Sequence, residues 1–231
     1  MTVETMDIMG LDDIEQENTS MDDLNSENIN LIFIAIDESG SMGGYIQDMK
    51  KNLSEFKSAL TDSKESDEML VARANFHDSN IDIGGYKKIE EFDTSYNVYG
   101  MTPLYDVVVE GAEKLVNYMT YLKNQGMRVK AVFAVFSDGE DTSSKNSVSQ
   151  AKNVITNLNS KEVTTAFISF GSSAMREAKN MQFKNILQVG SSASELRKAF
   201  DCLSKSVIES SKSVVADQDG FFAMTDDSFT M

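Results

Sequence analysis

The sequence predicts a doubly wound α/β fold: a mostly parallel, six-stranded sheet with one antiparallel edge strand and helices on both faces. Two observations carry this. Asn30–Asp37 (NLIFIAID), Val129–Phe136 (VKAVFAVF) and Val163–Phe170 (VTTAFISF) are near-continuous apolar runs, the pattern of strands covered on both sides. Between them lie segments with apolar residues three and four apart, the spacing of amphipathic helices. Strands alternating with helices imply right-handed crossovers and a mainly parallel sheet.

The elements follow in order. Ile46, Met49, Leu53, Phe56 and Leu60 mark the first helix. Glu68–Asp78 and Tyr86–Asp93 read as two strands joined across SNIDIGG, a hairpin that supplies the antiparallel member. From Pro103 to Asn124, Leu104, Val107, Val108, Gly111, Leu115, Met119 and Leu122 share one helical face. Val148–Leu158 reads as a helix and Asn185–Val189 as a short strand. Leu196, Ala199, Phe200, Leu203 and Val207 mark the last helix.

At 231 residues the chain suits one sizeable core rather than two domains. We place that domain at residues 29–212, between an acidic N-terminal tail, 1–28, and an acidic C-terminal tail, 213–231. The formal charge is −16, with no Lys or Arg before Lys50 or after Lys212. The N-terminal tail is too polar to build a core, which predicts disorder. It reads either as a solubilising segment or as a short acidic motif that folds on a partner. Phe221, Phe222 and Phe229 offer the C-terminal tail a way to dock on the body.

The charge balance argues against nucleic acid and anionic membranes, which are gripped through Lys and Arg. No stretch reaches the ~20 apolar residues that span a bilayer, and no signal peptide is recognisable at the start. The single cysteine, Cys202, excludes an internal disulfide and reads as helix packing. The expectation is a cytoplasmic protein.

Three polar segments fall at one edge of this fold. Asp37-x-Ser39-x-Ser41 follows the first buried strand, Ser137–Asp141 (SDGED) ends the second, and Thr102 precedes the long helix. Each has an ordinary reading as a turn or a helix start, with Thr102 as N-cap and Pro103 in the first turn. In doubly wound sheets, ligands bind beyond the carboxyl ends of the strands, where strand order reverses. Together the segments bring five oxygen donors to that edge: Asp37, Ser39, Ser41, Thr102 and Asp138. Carboxylates and hydroxyls without His or Cys are hard ligands, suited to Mg²⁺, with Mn²⁺ or Ca²⁺ as alternatives. Two carboxylates leave the site near neutral, so the ion stays electrophilic and can accept a carboxylate from outside.

These segments resemble the metal-ion-dependent adhesion site of the von Willebrand factor A domains, over roughly Asn30–Glu209. All five positions carry the residue types of that motif: Asp37-Glu-Ser39-Gly-Ser41, Thr102 before Pro103-Leu104, and Asp138 in Ser-Asp-Gly. The resemblance implies Mg²⁺ held directly by the serines and, in one state, by the threonine, with the aspartates often acting through water. It also implies recognition of a protein partner whose Glu or Asp completes the coordination. Without paired cysteines, the chain is more similar to the compact intracellular members of bacteria and phages, commonly adaptors or regulators beside ATPases, kinases or phosphatases. Glu38, Glu140 and Asp141 either tune cation attraction or form a solvated rim. His77, the only histidine, reads as a surface or hairpin residue rather than a ligand.

The expectation is therefore a Mg²⁺-dependent protein-binding module and not an enzyme. A Mg²⁺-dependent phosphoryl-transfer enzyme is the rival, since such sites also serve that chemistry. Against it, the sequence has no P-loop, no paired nucleophile and base, and no phosphate-gripping Lys or Arg in the site segments. A structural assembly protein using its acidic tails is a third reading.

Overall fold

The computed structural model describes residues 18–63, 67–78, 80–190, 192–212 and 220–222. Strand β1 (Asn28–Asp37) lies at the centre, parallel to β2 (Glu68–His77) on one side and β5 (Arg128–Ser137) on the other. Beyond β5 follow β6 (Thr164–Phe170) and β7 (Asn185–Val189), also parallel. The order is β3-β2-β1-β5-β6-β7, with β3 (Asn80–Ile83) and β4 (Lys87–Lys88) both antiparallel to β2.

The sheet is thus the expected mostly parallel one, with seven strands instead of six. The hairpin differs from the sequence reading. Its returning strand is β3, inside the SNIDIGG segment assigned to the connection, and Tyr86–Asp93 contributes only the two residues of β4 before a 3₁₀ turn at Ile89–Glu91. Tyr86, Ile89 and Phe92 are nevertheless buried, so their apolar character serves core packing rather than a ladder.

Helices α1 (Ile46–Thr61) and α5 (Ala193–Lys212) cover one face, where they pack with Ile32, Ile34 and Ile36 of β1. Helices α2 (Leu104–Asn124), α3 (Val148–Ser160) and α4 (Ser172–Asn180) cover the other, with Leu31, Phe33 and Ala35. Alternate residues of β1 thus feed two separate cores, which is why the strand is apolar without a break from Leu31 to Ile36. Cys202 is buried in α5, as its helical position suggested. Gly111 of α2 is required by contact, because a Cβ there would collide with the Phe33 ring. Among the described residues no helix is long and apolar enough to cross a membrane.

The N-terminal boundary at residue 28 needs correction. Residues 18–27 lie on the body: Thr19 N–H donates to Tyr86 O (2.8 Å), Tyr118 Oη donates to Thr19 O (2.9 Å), and Met21 and Leu24 pack on the core around α2. Two apolar anchors and a few backbone bonds suffice where overall composition looked too polar. At the other end Phe221 is buried and Phe222 packs beside it. The rest of both proposed tails, Phe229 included, falls outside the described residues.

Candidate metal centre

Chain order fixes where chemistry can collect. From β1 the chain moves through α1 to β2 on one side, then returns through α2 to β5 on the other. The crevice between the carboxyl ends of β1 and β5 is therefore the switch point of the sheet. Asp37 is the last residue of β1, and Asp138 follows the last residue of β5.

Asp37 is fully buried and held at both oxygens. Oδ1 accepts the Ser39 N–H (2.8 Å), a turn-closing bond typical of Asp. Oδ2 accepts the Ser137 hydroxyl (2.6 Å). The Tyr96 hydroxyl donates to the Asp37 carbonyl (2.6 Å), closing the site from below. Ser39 Oγ lies 3.1 Å from Ser41 Oγ, which donates to Asp138 Oδ1 at 2.8 Å. Four of the five expected residues thus form one hydrogen-bonded chain across two strand ends.

Thr102 joins them from the third segment. Its N–H donates to Thr142 Oγ1 (2.8 Å) and its carbonyl accepts from Thr142 N–H (2.9 Å), which clips it to the loop after β5. Its hydroxyl faces Gly139, where an added Cβ would sit 4.0 Å away. Thr102 is not the N-cap expected from sequence. Pro103 occupies that position without a side-chain cap, and the first turn of α2 is satisfied from outside: Tyr105 N–H donates to Asp141 Oδ1 (3.2 Å) and Asp106 N–H to Ser144 Oγ (3.0 Å). Asp106 returns the favour, accepting from the N–H groups of Lys145 and Asn146. The Thr102 hydroxyl, released from capping, makes no hydrogen bond among the described residues.

A divalent ion can be tested against this arrangement. In an octahedral Mg²⁺ shell with ligands at 2.0–2.1 Å, neighbouring oxygens stand about 2.9 Å apart. The Ser39–Ser41 and Ser41–Asp138 separations, 3.1 and 2.8 Å, are hydrogen-bond lengths, and they bring these oxygens close enough together to share one ion of that size. The donor set is hard oxygen throughout, and among the described residues no group of three or more His, Cys, Asp or Glu offers a rival site. The residues fit a small hard cation.

The electrostatics are consistent with this. Burial pushes the Asp37 carboxyl up to about 6, against the bonds from Ser137 and Ser39 that favour its charged form. Burial also raises Asp138 and Glu38. Carboxylates held away from water carry charge that a bound cation would relieve.

The flanking acids are more committed than the sequence suggested. Glu38 is buried against Arg73 of β2 (3.3 Å), whose other nitrogens donate to Asp93 O and Asn75 Oδ1, both at 2.7 Å. Glu140 pairs with Arg176 of α4, and Asp141 holds the start of α2. His77 ends β2 with its ring edge-on to Tyr99 and lies outside the oxygen cluster. Ser137, Tyr96 and Thr142 were not singled out as site residues. Their role comes from strand register and loop crossing, and only Ser137, one residue before Asp138, left a trace in the sequence.

No family model matches the chain, and no curated protein matches its sequence. Solved structures do resemble it. The pilus adhesin SpaC from Lactobacillus rhamnosus GG, in its open conformation, superposes with a TM-score of 0.62 at 11% identity, over 80% of this chain and 30% of the adhesin. Proximal thread matrix protein 1 from the mussel byssus, in a form with a zinc-occupied metal-ion-dependent adhesion motif, gives 0.55 at 16% identity, over 78% of this chain and 46% of that one. The SpRpn10 VWA domain gives 0.52 at 12% identity, over 75% of this chain and 94% of that domain. The chain thus spans less than half of the adhesin and of the thread protein, and nearly all of the isolated domain. At these identities the likeness concerns the fold, and the fold of this chain is that of a von Willebrand factor A-like α/β domain.

Proposed function

We propose that the chain is a divalent-cation-dependent protein-interaction module with a complete adhesion-type metal site. Ser39, Ser41 and Thr102 would hold Mg²⁺, with Mn²⁺ or Ca²⁺ as substitutes, and Asp37 and Asp138 would supply its negative charge. Asp37, both of whose oxygens already accept protein hydrogen bonds, suits a role through water. The bound ion would supply a Lewis-acid centre that a partner's Glu or Asp completes. The observation that carries this reading is the hydrogen-bonded chain Asp37–Ser39–Ser41–Asp138 across the ends of β1 and β5, with the Thr102 hydroxyl against Gly139 and making no hydrogen bond among the described residues.

Zinc in the mussel protein supports a divalent ion at the equivalent place in that fold. For this chain the hydroxyl-rich donor set favours a harder ion. A non-enzymatic role is supported by what surrounds the cluster. The cations beside it are already paired, Arg73 with Glu38 and Arg176 with Glu140, which leaves neither poised to grip a phosphate. An intracellular adaptor role beside an ATPase, kinase or phosphatase is proposed from the resemblance alone.

The test is calorimetric titration with Mg²⁺, Mn²⁺ and Zn²⁺ on the wild type and on Ser41→Ala, together with affinity capture with and without chelator. Saturable binding of Mg²⁺ or Mn²⁺, lost in Ser41→Ala, is expected. Equal binding in the two proteins, or hydrolysis of phosphoesters that requires the same residues, would overturn the reading.

A further inference from the structure

Three large apolar side chains are exposed among the described residues: Tyr99 (50%), Met101 (54%) and Val148 (36%). Two of them flank Gly100 in the short segment that leads into Thr102. That segment is fixed from both sides. Tyr99 N–H donates to Glu38 O (2.8 Å), and Gly100 O accepts the Gly40 N–H (3.0 Å). Met101 N–H donates to Asp78 Oδ1 (3.0 Å) while its carbonyl accepts the Asp78 N–H (2.7 Å).

Gly100 makes this path possible. Its φ is +70°, and a side chain there would run into the Asp78 carboxylate. The Tyr99 ring meets His77 edge-on at 4.5 Å, so its position is defined while half of its surface stays in water. Two half-exposed apolar side chains on a backbone pinned at every residue, one of them adjacent in sequence to a proposed cation ligand, form a small apolar shelf at the rim of the site. Tyrosine supplies contact area at low entropic cost, and methionine adapts its shape to what covers it.

Building on the proposed carboxylate recognition, we infer that Tyr99 and Met101 select partners in which a bulky apolar side chain stands next to the metal-seeking Glu or Asp. The remaining rim sets the charge of that partner segment. Asp78 is exposed beside Met101, whose N–H it holds, and the chain as a whole carries −16. Beyond its one acid, the partner segment is therefore basic or neutral, since further acids meet like charge at short range. The occupant is an extended protein segment with one carboxylate, one adjoining apolar side chain and flanking lysines or arginines.

The test uses two acetylated peptides that differ at one position. Each carries a single glutamate flanked by lysines, preceded by phenylalanine in one and serine in the other. Binding is measured by NMR titration with Mg²⁺ and with chelator, on the wild type, Met101→Ser and the Tyr99→Ser/Met101→Ser double variant. Mg²⁺ affinity of each protein is measured in parallel by calorimetry.

We expect the phenylalanine peptide to bind the wild type about tenfold more tightly, the gain from covering part of two apolar side chains. The preference should shrink in Met101→Ser and vanish in the double variant, with Mg²⁺ affinity unchanged in both. Mg²⁺-dependent binding of both peptides with equal affinity would overturn the shelf and leave the metal reading standing. Failure of both peptides to bind in Mg²⁺ would overturn the carboxylate reading and the shelf with it.

Discussion

The Ser137 hydroxyl, at the end of β5, donates a 2.6 Å hydrogen bond to Oδ2 of Asp37 at the end of the adjacent strand β1. The bond steers the carboxylate but does not offset its burial, and the carboxyl sits at about 6. An unfolded chain releases that proton near 3.8. Between those values the folded protein holds a proton that the unfolded one lacks, so stability falls as pH rises and the full cost is present at pH 7. A shift of this size corresponds to roughly 3 kcal/mol. Glu38 and Asp138 shift in the same direction, and Asp93, held low by Ser95, opposes them. Without divalent ions the protein should melt at a higher temperature at pH 5 than at pH 7, and saturating Mg²⁺ should narrow the gap by taking the proton's place. Calorimetric scans at the two pH values check this; a metal-free Tm that rises from pH 5 to 7 would contradict it.

General repulsion in a chain of charge −16 also eases in acid, so a variant is needed to isolate Asp37. Asp37→Asn keeps an acceptor for Ser39 N–H and removes the buried charge. We expect it to raise metal-free stability at pH 7 by about 1–3 kcal/mol, to flatten the pH dependence, and to weaken Mg²⁺ binding at least about tenfold. Urea unfolding beside Mg²⁺ titration reads both effects in one protein. A variant that is less stable yet binds Mg²⁺ normally would mean that Asp37 is a structural turn residue.

Arg73 and Glu38 form a buried pair, each side chain 7% exposed, directly beneath the first site loop. Burial raises the Glu38 carboxyl despite its partner and lowers the Arg73 guanidinium, so neither charge is comfortable alone. Removing one member leaves the other buried and uncompensated, which typically costs about 3–5 kcal/mol. Arg73→Leu should lose that much, and Glu38→Gln combined with it should recover part. Additive losses in a double-mutant cycle by urea unfolding would show that the two charges do not interact.

Much of this arrangement was legible in the sequence, and the exceptions share a cause. Buried parallel strands announce themselves as unbroken apolar runs, so β1, β5 and β6 lie within a residue or two of their expected bounds. Asp37, Ser39, Ser41 and Asp138 were legible because topology requires both strand ends to meet at one edge. Helix α4 was missed: its sequence, SSAMREAKN, buries Ala174 and Ala178, which are too small to stand out in a hydrophobic pattern. The capping of α2 was missed because its donors come from Asp141 and Ser144, distant in the chain. Nothing local to Thr102-Pro103 distinguishes a helix capped by its own threonine from one capped by another loop.

Gly111 looked like a small residue on an apolar helical face, and the structure gives it a sharper role beneath the Phe33 ring, itself stacked on Phe133 at 4.9 Å. Gly111→Ala should gain up to about 1 kcal/mol in helix propensity. It also forces a methyl into a closed contact, and overpacking costs about 1–3 kcal/mol or more. Because Phe33 is fully buried between sheet and helix, the second effect should win, and the variant should be less stable. Phe33→Leu in the same background should restore part of the loss. Denaturant titration of the three variants decides it, and a stabilised Gly111→Ala would show that α2 can move away from the sheet.

Thr102 separates function from fold most cleanly. Had it capped α2, its removal would cost about 1 kcal/mol. Instead Asp141 and Ser144 satisfy the helix start, and Thr102 is tied down through its backbone to Thr142, a bond that any side chain preserves. Thr102→Val keeps the shape and deletes only the hydroxyl oxygen. We therefore expect stability within about 0.5 kcal/mol of wild type, as for a substitution that breaks no cap or buried bond. In contrast, Mg²⁺-dependent capture of a carboxylate-bearing peptide should fall at least about tenfold, since a charged partner bound through a metal short of ligands loses its anchor. Thermal unfolding and surface-immobilised binding, each with Mg²⁺ and with chelator, give the four numbers required. Equal stability with unchanged, chelator-sensitive binding would remove Thr102 from the coordination and leave the two serines to hold the ion, with the aspartates supplying its charge. A large loss of stability would show that the hydroxyl has a structural partner after all, and the case for a free ligand at this position would fall with it.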